Sequence, residues 1–295
     1  MDKGKTLAGI GFGLGAYGIW GFFPLFFRQL GHVSPADVLC NRALWGCVLV
    51  SLILTVRRGW PQVGAAARRP GNVMRLAFAG LLVGSNWLGF LWAVDQRLVI
   101  AGSLGYFLTP LVNVLLGMLV LKERLNGKEW AAVGLAVAAV GNEFIALGSL
   151  PWVSLFLGGT FGLYGLVRKQ VPVDAVSGLW LETLAMLPLV GVYALWQGSQ
   201  GHAVFTGHDG LTDFLLGMSG VMTALPLMLF AAATQRLNLA TVGMLMYINP
   251  TMQLVTAVWI FGEDLQPARL VTFGLIWAGL LCYSWAGWEK YRKAA

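Results

Sequence analysis

Apolar residues in this chain come in long unbroken runs separated by short polar turns. Ten runs approach or reach the ~20 residues that a helix needs to cross a ~30 Å hydrocarbon layer. They are Thr6–Phe27, Pro35–Val56, Val73–Val94, Val99–Val120, Lys128–Leu147, Pro151–Val167, Asp174–Trp196, Leu211–Ala233, Leu239–Ile260 and Pro267–Ala286. The longest connections, Arg57–Asn72 and Gln197–Gly210, are too short to fold as soluble domains. Strict apolar–polar alternation over ~10-residue segments, the mark of a membrane barrel, is absent. The pattern predicts an all-α integral membrane protein with ten transmembrane helices.

Composition agrees. Hydrophobic residues make up 57% of the 295, and with the 39 glycines the apolar share is about 70%, against ~45–50% in soluble domains. Charged residues are 11%, less than half the ~25% of a soluble domain. So few charges could not solvate a soluble globule of this size. Disorder, coiled coil and a soluble enzyme are excluded.

The formal net charge of +7 reads as orientation, because Lys and Arg concentrate in cytoplasmic loops. With the N-terminus inside, 16 of them fall on the cytoplasmic side: Lys3, Lys5, Arg57, Arg58, Arg68, Arg69, Arg75, Lys122, Arg124, Lys128, Arg168, Lys169, Arg236, Lys290, Arg292 and Lys293. Only Arg28, Arg97 and Arg269 fall outside, and Arg42 stays within a helix. Both termini are therefore expected in the cytoplasm. Charges scattered among loops do not make the basic face that nucleic-acid binding needs. The first run of about 22 residues exceeds a signal h-region of ~7–15, and no A-x-A-like site follows, so it reads as a span.

The two halves repeat each other. Pro110, Glu123, Leu125, Gly134 and Ala138 recur at an offset of 140 as Pro250, Glu263, Leu265, Gly274 and Ala278. Gln96-Arg97-Leu98 recurs, one residue out of register, as Gln235-Arg236-Leu237. Gly15, Gly18 and Gly21 match Gly159, Gly162 and Gly165. Residues 1–147 and 148–295 are thus expected to be two five-helix repeats. An odd number of spans inverts the second repeat, the architecture of secondary transporters that enclose a midplane site between two units.

Charge inside a span singles out candidate site residues, since it costs at least ~2.5–3.5 kcal/mol and normally faces a cavity or a partner. Arg42 and Glu182 lie about eight residues inside the second and seventh runs, again 140 apart. They are expected either to line a transport path or to form a structural ion pair, with a proton a candidate cargo of Glu182. Glu143 lies near a run end, where snorkelling explains it. Pro110 and Pro250 lack an N–H, free the carbonyls of Tyr106 and Met246, and are expected to break their helices. Tyr106, Thr109 and Asn113 form a polar stripe in the fourth run, answered by Asn249 and Gln253 in the ninth. These line a path or act as interhelical hydrogen-bonding glue. Asn86 and Trp87 have no counterpart in the second half, where Leu225-Pro226 stands, so they suit contact with an asymmetric substrate. The glycines from Gly11 to Gly21 are expected to let helices approach closely.

Other chemistry finds little support. Cys40, Cys47 and Cys282 lie within runs and read as small packing residues, not as disulfide or metal ligands. His32, His202 and His208 fall in short outer loops and read as solvated, so a hydrolase would lack a base at membrane depth. No paired acidic ligands suggest a metal-dependent transferase. Gly4-Lys5-Thr6 ends like a P-loop but lacks its first glycine. No cofactor and no metal are expected.

Several motifs resemble a known family. Ser103-Leu-Gly-Tyr-Phe-Leu-Thr-Pro-Leu-Val-Asn113, Ser85-Asn-Trp87, Tyr164-Gly-Leu-Val-Arg-Lys169 and Glu182-Thr183 with Pro188 resemble the RarD branch of the EamA family, within the drug/metabolite transporter superfamily. One departure is Ala101-Gly102, where that branch carries an acidic residue, so no role of that acid carries over. The resemblance implies ten spans in a bacterial inner membrane and export of small molecules. The chain is accordingly expected to be a secondary transporter, exporting a metabolite, amino-acid-like compound or drug by alternating access. A channel or a non-transporting scaffold is the alternative. Its expected partners are the lipid bilayer, a small-molecule substrate and a proton, not nucleic acid.

Overall fold

A computed structural model of the chain describes residues 3–95, 99–147, 152–207, 209–260 and 267–293. Gln96-Arg97-Leu98, His208, Glu263 and Leu265 lie outside the described residues, as do the side chains of Ser103, Glu143 and Arg269.

All regular structure in the described residues is helical. In order these are α1 (Lys3–Gly21), α2 (Phe23–Arg28), α3 (Pro35–Val56), α4 (Trp60–Ala67), α5 (Pro70–Asp95), α6 (Val99–Leu119) and α7 (Gly127–Leu147). There follow α8 (Trp152–Gln170), α9 (Ala175–Ser199), α10 (Gly210–Thr234), α11 (Leu239–Met246), α12 (Ile248–Val255), a π-helical turn (Thr256–Ile260) and α13 (Pro267–Lys293). Every apolar run of the sequence is helical over most of its described length. Among the described residues, five helical stretches are long and apolar enough to cross a membrane, namely Gly4–Arg28, Pro35–Val56, Pro70–Phe90, Ala175–Ser199 and Gly210–Thr234. Leu108–Leu119 and Leu270–Ala286 are shorter apolar helices. The distribution of side chains suits lipid: Trp259 (85% exposed), Ile145 (84%) and Leu195 (78%) face outward, whereas Arg42, Arg168 and Glu182 are buried.

Local chemistry sets the helix ends. Asp174 caps α9 by accepting from the amides of Val176 (3.1 Å) and Ser177 (3.0 Å). Asp209 caps α10 through the amides of Leu211 and Thr212 and the Thr212 hydroxyl. These are the orphan N–H groups that open any helix. Helix α11 is capped from the other half of the chain. The Glu123 carboxylate accepts from the amides of Leu239 (2.8 Å) and Ala240 (3.2 Å).

Three local expectations change. The connection 57–72 contains α4, whose Val63 and Ala66 are buried and whose Trp60 packs edge-on against Trp180 at 5.2 Å. The two prolines also differ. Upstream of Pro250 the helix divides at Tyr247, just after Met246, the residue whose carbonyl Pro250 cannot bond. Helix α6 instead runs on through Pro110, because one missing N–H leaves the flanking i→i−4 bonds intact. The glycines of α1 divide by face. A Cβ at Gly9, Gly13 or Gly21 would press on Leu237, Leu245 or Met252, whereas Gly11 and Gly18 meet nothing within 4 Å.

The principal helix contacts cross between the first five long segments and the last five. Helix α3 lies against α10 as α9 lies against α5, and α1 against α10 as α8 against α5. Helix α6 lies against α8 as the α11–α12 segment lies against α1. The pairs α3 with α9, α6 with α11 and α7 with α13 complete the set. The core where these crossings meet is aromatic. Trp20 of α1 touches Phe161 of α8 at 5.6 Å and Phe230 of α10 at 5.9 Å, and Tyr164 stacks on Phe230 at 5.6 Å.

Candidate functional site

Two buried charged clusters adjoin this aromatic core, one through Trp87 and Phe23 and the other through Tyr164. Arg42 projects from α3 and is only 7% exposed. Its Nε donates to Thr223 Oγ1 of α10 at 2.8 Å. Its guanidinium carbon lies 4.1 Å from the centre of a Trp87 ring, 4.9 Å from Phe27 and 5.6 Å from Phe23. Phe23 and Phe27 are four apart, which puts both rings on one face of α2. Helices α2, α3, α5 and α10 therefore build an aromatic box around one cation.

Glu182 of α9 is 1% exposed and meets Arg168 of α8, which is fully buried. Arg168 Nη1 lies 3.2 Å from Glu182 Oε1, and the Tyr164 hydroxyl donates to Glu182 Oε2 at 3.1 Å. Arg168 thus answers Glu182, and Arg42 does not. This corrects the assignment of Arg168 to a cytoplasmic loop: it points inward from the last turn of α8. Gly178 makes the room, since a Cβ there would collide with the guanidinium. Arg168 Nε and Nη2 and the Ser177 hydroxyl find no hydrogen-bond partner in this buried pocket.

Shared helices give the spacing. On α5, Gly80 packs against the Glu182 backbone and Trp87 lies on Arg42. On α10, Phe230 stacks on Tyr164 and Thr223 accepts from Arg42. Both intervals are seven residues, or ~10 Å of helix. Direct pairing of Arg42 with Glu182, one reading of the sequence, does not occur.

The polar stripe divides. Thr109 bonds back to the Gly105 carbonyl at 2.9 Å. Asn113 is fully buried, and neither its Oδ1 nor its Nδ2 has a partner. Tyr106 packs on Phe90 at 5.8 Å. In α12, Gln253 donates to Asn249 Oδ1 at 2.9 Å. Asn86 acts as glue, donating to the Leu157 carbonyl (2.7 Å) and Thr160 Oγ1 (2.8 Å) of α8. Trp87 alone of the Asn86-Trp87 pair touches the Arg42 cluster. Cys40 and Cys47 are buried free thiols and Cys282 is half-buried. Exposed His32 bonds to Thr212 Oγ1 at 3.0 Å.

Residues 7–141 match the model of the EamA-like transporter family. An uncharacterized transporter of Vibrio cholerae is 39% identical over 283 residues, 96% of this chain and 94% of that one. Another from Pseudomonas aeruginosa is 41% identical, covering 99% and 98%. The chain belongs to the EamA family. Among its RarD-named relatives is Protein RarD of Salmonella typhi, 39% identical over 96% of each chain. A solved crystal structure shares the fold at a TM-score of 0.72 and 18% identity, covering 96% of this chain and 98% of that one.

Within this EamA chain, the motif Tyr164-Gly-Leu-Val-Arg-Lys169 acquires a structural meaning. Tyr164 and Arg168, four apart, share the face of α8 that meets Glu182. Lys169, next in sequence, turns instead to the Thr234 carbonyl (3.3 Å) and the Leu237 carbonyl and lies 4.0 Å from Glu123. The i, i+4 spacing of Tyr164 and Arg168 was the available signal for this half of the site. Thr223, Phe23 and Phe27 were not singled out by sequence. A threonine on a glycine-flanked helix and two more phenylalanines among 16 carry no mark of their own.

Proposed function

We propose that this EamA-family membrane protein is a secondary transporter of the bacterial inner membrane, exporting a small metabolite, amino-acid-like compound or drug by alternating access. Ten spans with cytoplasmic termini would form two inverted five-helix repeats, 1–147 and 148–295. Transporter-named relatives at 39–41% identity support transport over catalysis. The reciprocal helix contacts support a two-fold arrangement.

One observation carries the transport reading. Arg42 is a buried cation held by helices from both halves and matched by no carboxylate among the described residues. A permanent charge in a bilayer normally marks a substrate pathway or finds a partner. In this reading Arg42, Trp87 and Tyr106 line the path. The Arg168–Glu182 pair closes its inner end, and Glu182 is the residue placed to carry a proton. Asn86, Thr109, Asn113, Asn249 and Gln253 would flank the moving helices, with Pro250 at a hinge.

The test begins with a metabolite profile of cells lacking and overproducing the protein, then measures flux of the implicated compound in proteoliposomes. Saturable efflux that requires Arg42 is expected. Uptake exceeding efflux in oriented vesicles would overturn export, and linear, non-saturating flux would identify a channel.

A further inference from the structure

We infer that Arg42 anchors an anionic group of the transported molecule, and that this molecule is a small planar organic acid. The inference rests on the transport reading and names its substrate class.

The geometry of the guanidinium supports it. Nε is committed to Thr223 Oγ1, whose own hydroxyl donates to the Ser219 carbonyl at 2.8 Å, so Thr223 can only accept from Arg42. That bond fixes the plane of the guanidinium. Three rings crowd around it, with Trp87 nearest at 4.1 Å. What remains is the far edge, where Nη1 and Nη2 point together. Two parallel N–H groups in one plane match the two oxygens of a carboxylate. The side-on approach through Nε is taken, so the carboxylate would dock end-on and nearly coplanar with the guanidinium. The rest of the molecule would extend past the rims of the rings that cover the guanidinium, which favours a flat apolar body.

Charge selects an anion over a neutral ligand. Arg168, Lys128 and Lys169 each face a glutamate. Arg42 has aromatic faces, which attract a cation but leave its charge uncancelled. An arriving carboxylate supplies the missing counter-charge, so affinity gains from relieving a desolvated cation already present. The Arg168–Glu182 cluster offers no such opening, because its carboxylate is built in.

Benzoate and benzamide make a matched pair of probes, with the same ring and with or without the charge. Calorimetric titration of the purified full-length protein at neutral pH should show saturable benzoate binding, with benzamide at least about tenfold weaker. Arg42→Gln should weaken benzoate by about tenfold to a hundredfold. Arg42→Lys should fall between, since it keeps the charge but loses the planar fork. If Arg42→Gln does not fold, Thr223→Val serves instead. It releases the guanidinium plane and should narrow the benzoate-over-benzamide preference several-fold. Equal binding of the two probes, no benzoate saturation, or benzoate binding indifferent to these substitutions would overturn the inference. Flux of a neutral or cationic metabolite without benzoate binding would leave transport standing and remove the anion. Benzoate binding without flux of any compound would do the reverse.

Discussion

The two buried arginines differ in what each needs. Arg168 is held by Glu182, so removing one member strands the other. Arg168→Met should therefore cost about 3–5 kcal/mol, read as a lowered melting temperature or lost expression. Arg168→Met combined with Glu182→Leu removes both desolvation costs and should recover most of that stability. If the double variant also transports at the normal rate, Glu182 is not on the path. Glu182→Gln asks a finer question, because it keeps the shape and the Tyr164 contact; it too strands Arg168, so its flux is read only on protein shown by melting to be folded. It should abolish flux driven by a pH gradient yet spare exchange of substrate across the bilayer, and loss of both would remove the proton role. Arg42 was legible as a candidate because it stands alone, eight residues inside an apolar run. Arg168 was not, because it adjoins Lys169 at a helix end, where basic residues normally mark a loop. Only the fold shows that the two side chains part, one to Glu182 and the other to backbone carbonyls.

Among the elements, sequence fixes where helices are more firmly than how they touch. Long apolar runs located the helical segments, since a hydrocarbon layer leaves the backbone no other partner than itself. Which face of each helix is buried was harder to read, because membrane helices are apolar all round and lack a polar side. Glycines then set the close crossings. A Cβ at Gly220 of α10 would sit 2.5 Å from the Trp45 carbonyl carbon of α3, and backbone cannot rotate away. Gly220→Ala should thus separate α3 from α10 and lower stability by about 1–3 kcal/mol. Gly18→Ala, with nothing within 4 Å, should be neutral or gain about 0.5–1 kcal/mol from its helical propensity. Thermal melting of the two variants in detergent separates these outcomes. Equal shifts would mean that the crossing of α3 and α10 does not depend on Gly220. Because Thr223 and Arg42 bridge the same crossing, Gly220→Ala should also depress flux more than its stability loss explains.

For the whole molecule, the offset of 140 residues pointed to a repeat but not to any interleaving. Matching residues bear on whether two halves are alike, whereas contacts depend on how the halves turn toward each other. The halves do not stand side by side as separate bundles: α5 packs on α8 and α9, and α10 packs on α1 and α3. Under the alternating-access mechanism proposed above, rocking of one unit against the other would slide these contacts: the Arg42–Thr223 bond spans one of them, and the Glu182 backbone packs on Gly80 across another. Orientation in the membrane remains a sequence argument, because it depends on lysines and arginines attracted to one side. With the N-terminus inside, the turn after α9 should lie outside and the turn after α8 inside. Gly201 is a poor place for a label, since its φ of 80° would strain any side chain there. Gln200 and Gln170 are exposed neighbours of these two turns. On a background with Cys40, Cys47 and Cys282 replaced by alanine, Gln200→Cys should react with an impermeant maleimide in intact spheroplasts. Gln170→Cys should react only in inside-out vesicles. The reverse pattern would invert the chain in the membrane and turn the Arg168–Glu182 cluster outward. Labelling of both from one side would require that α9 not cross the bilayer, and with it the inverted repeat would fall.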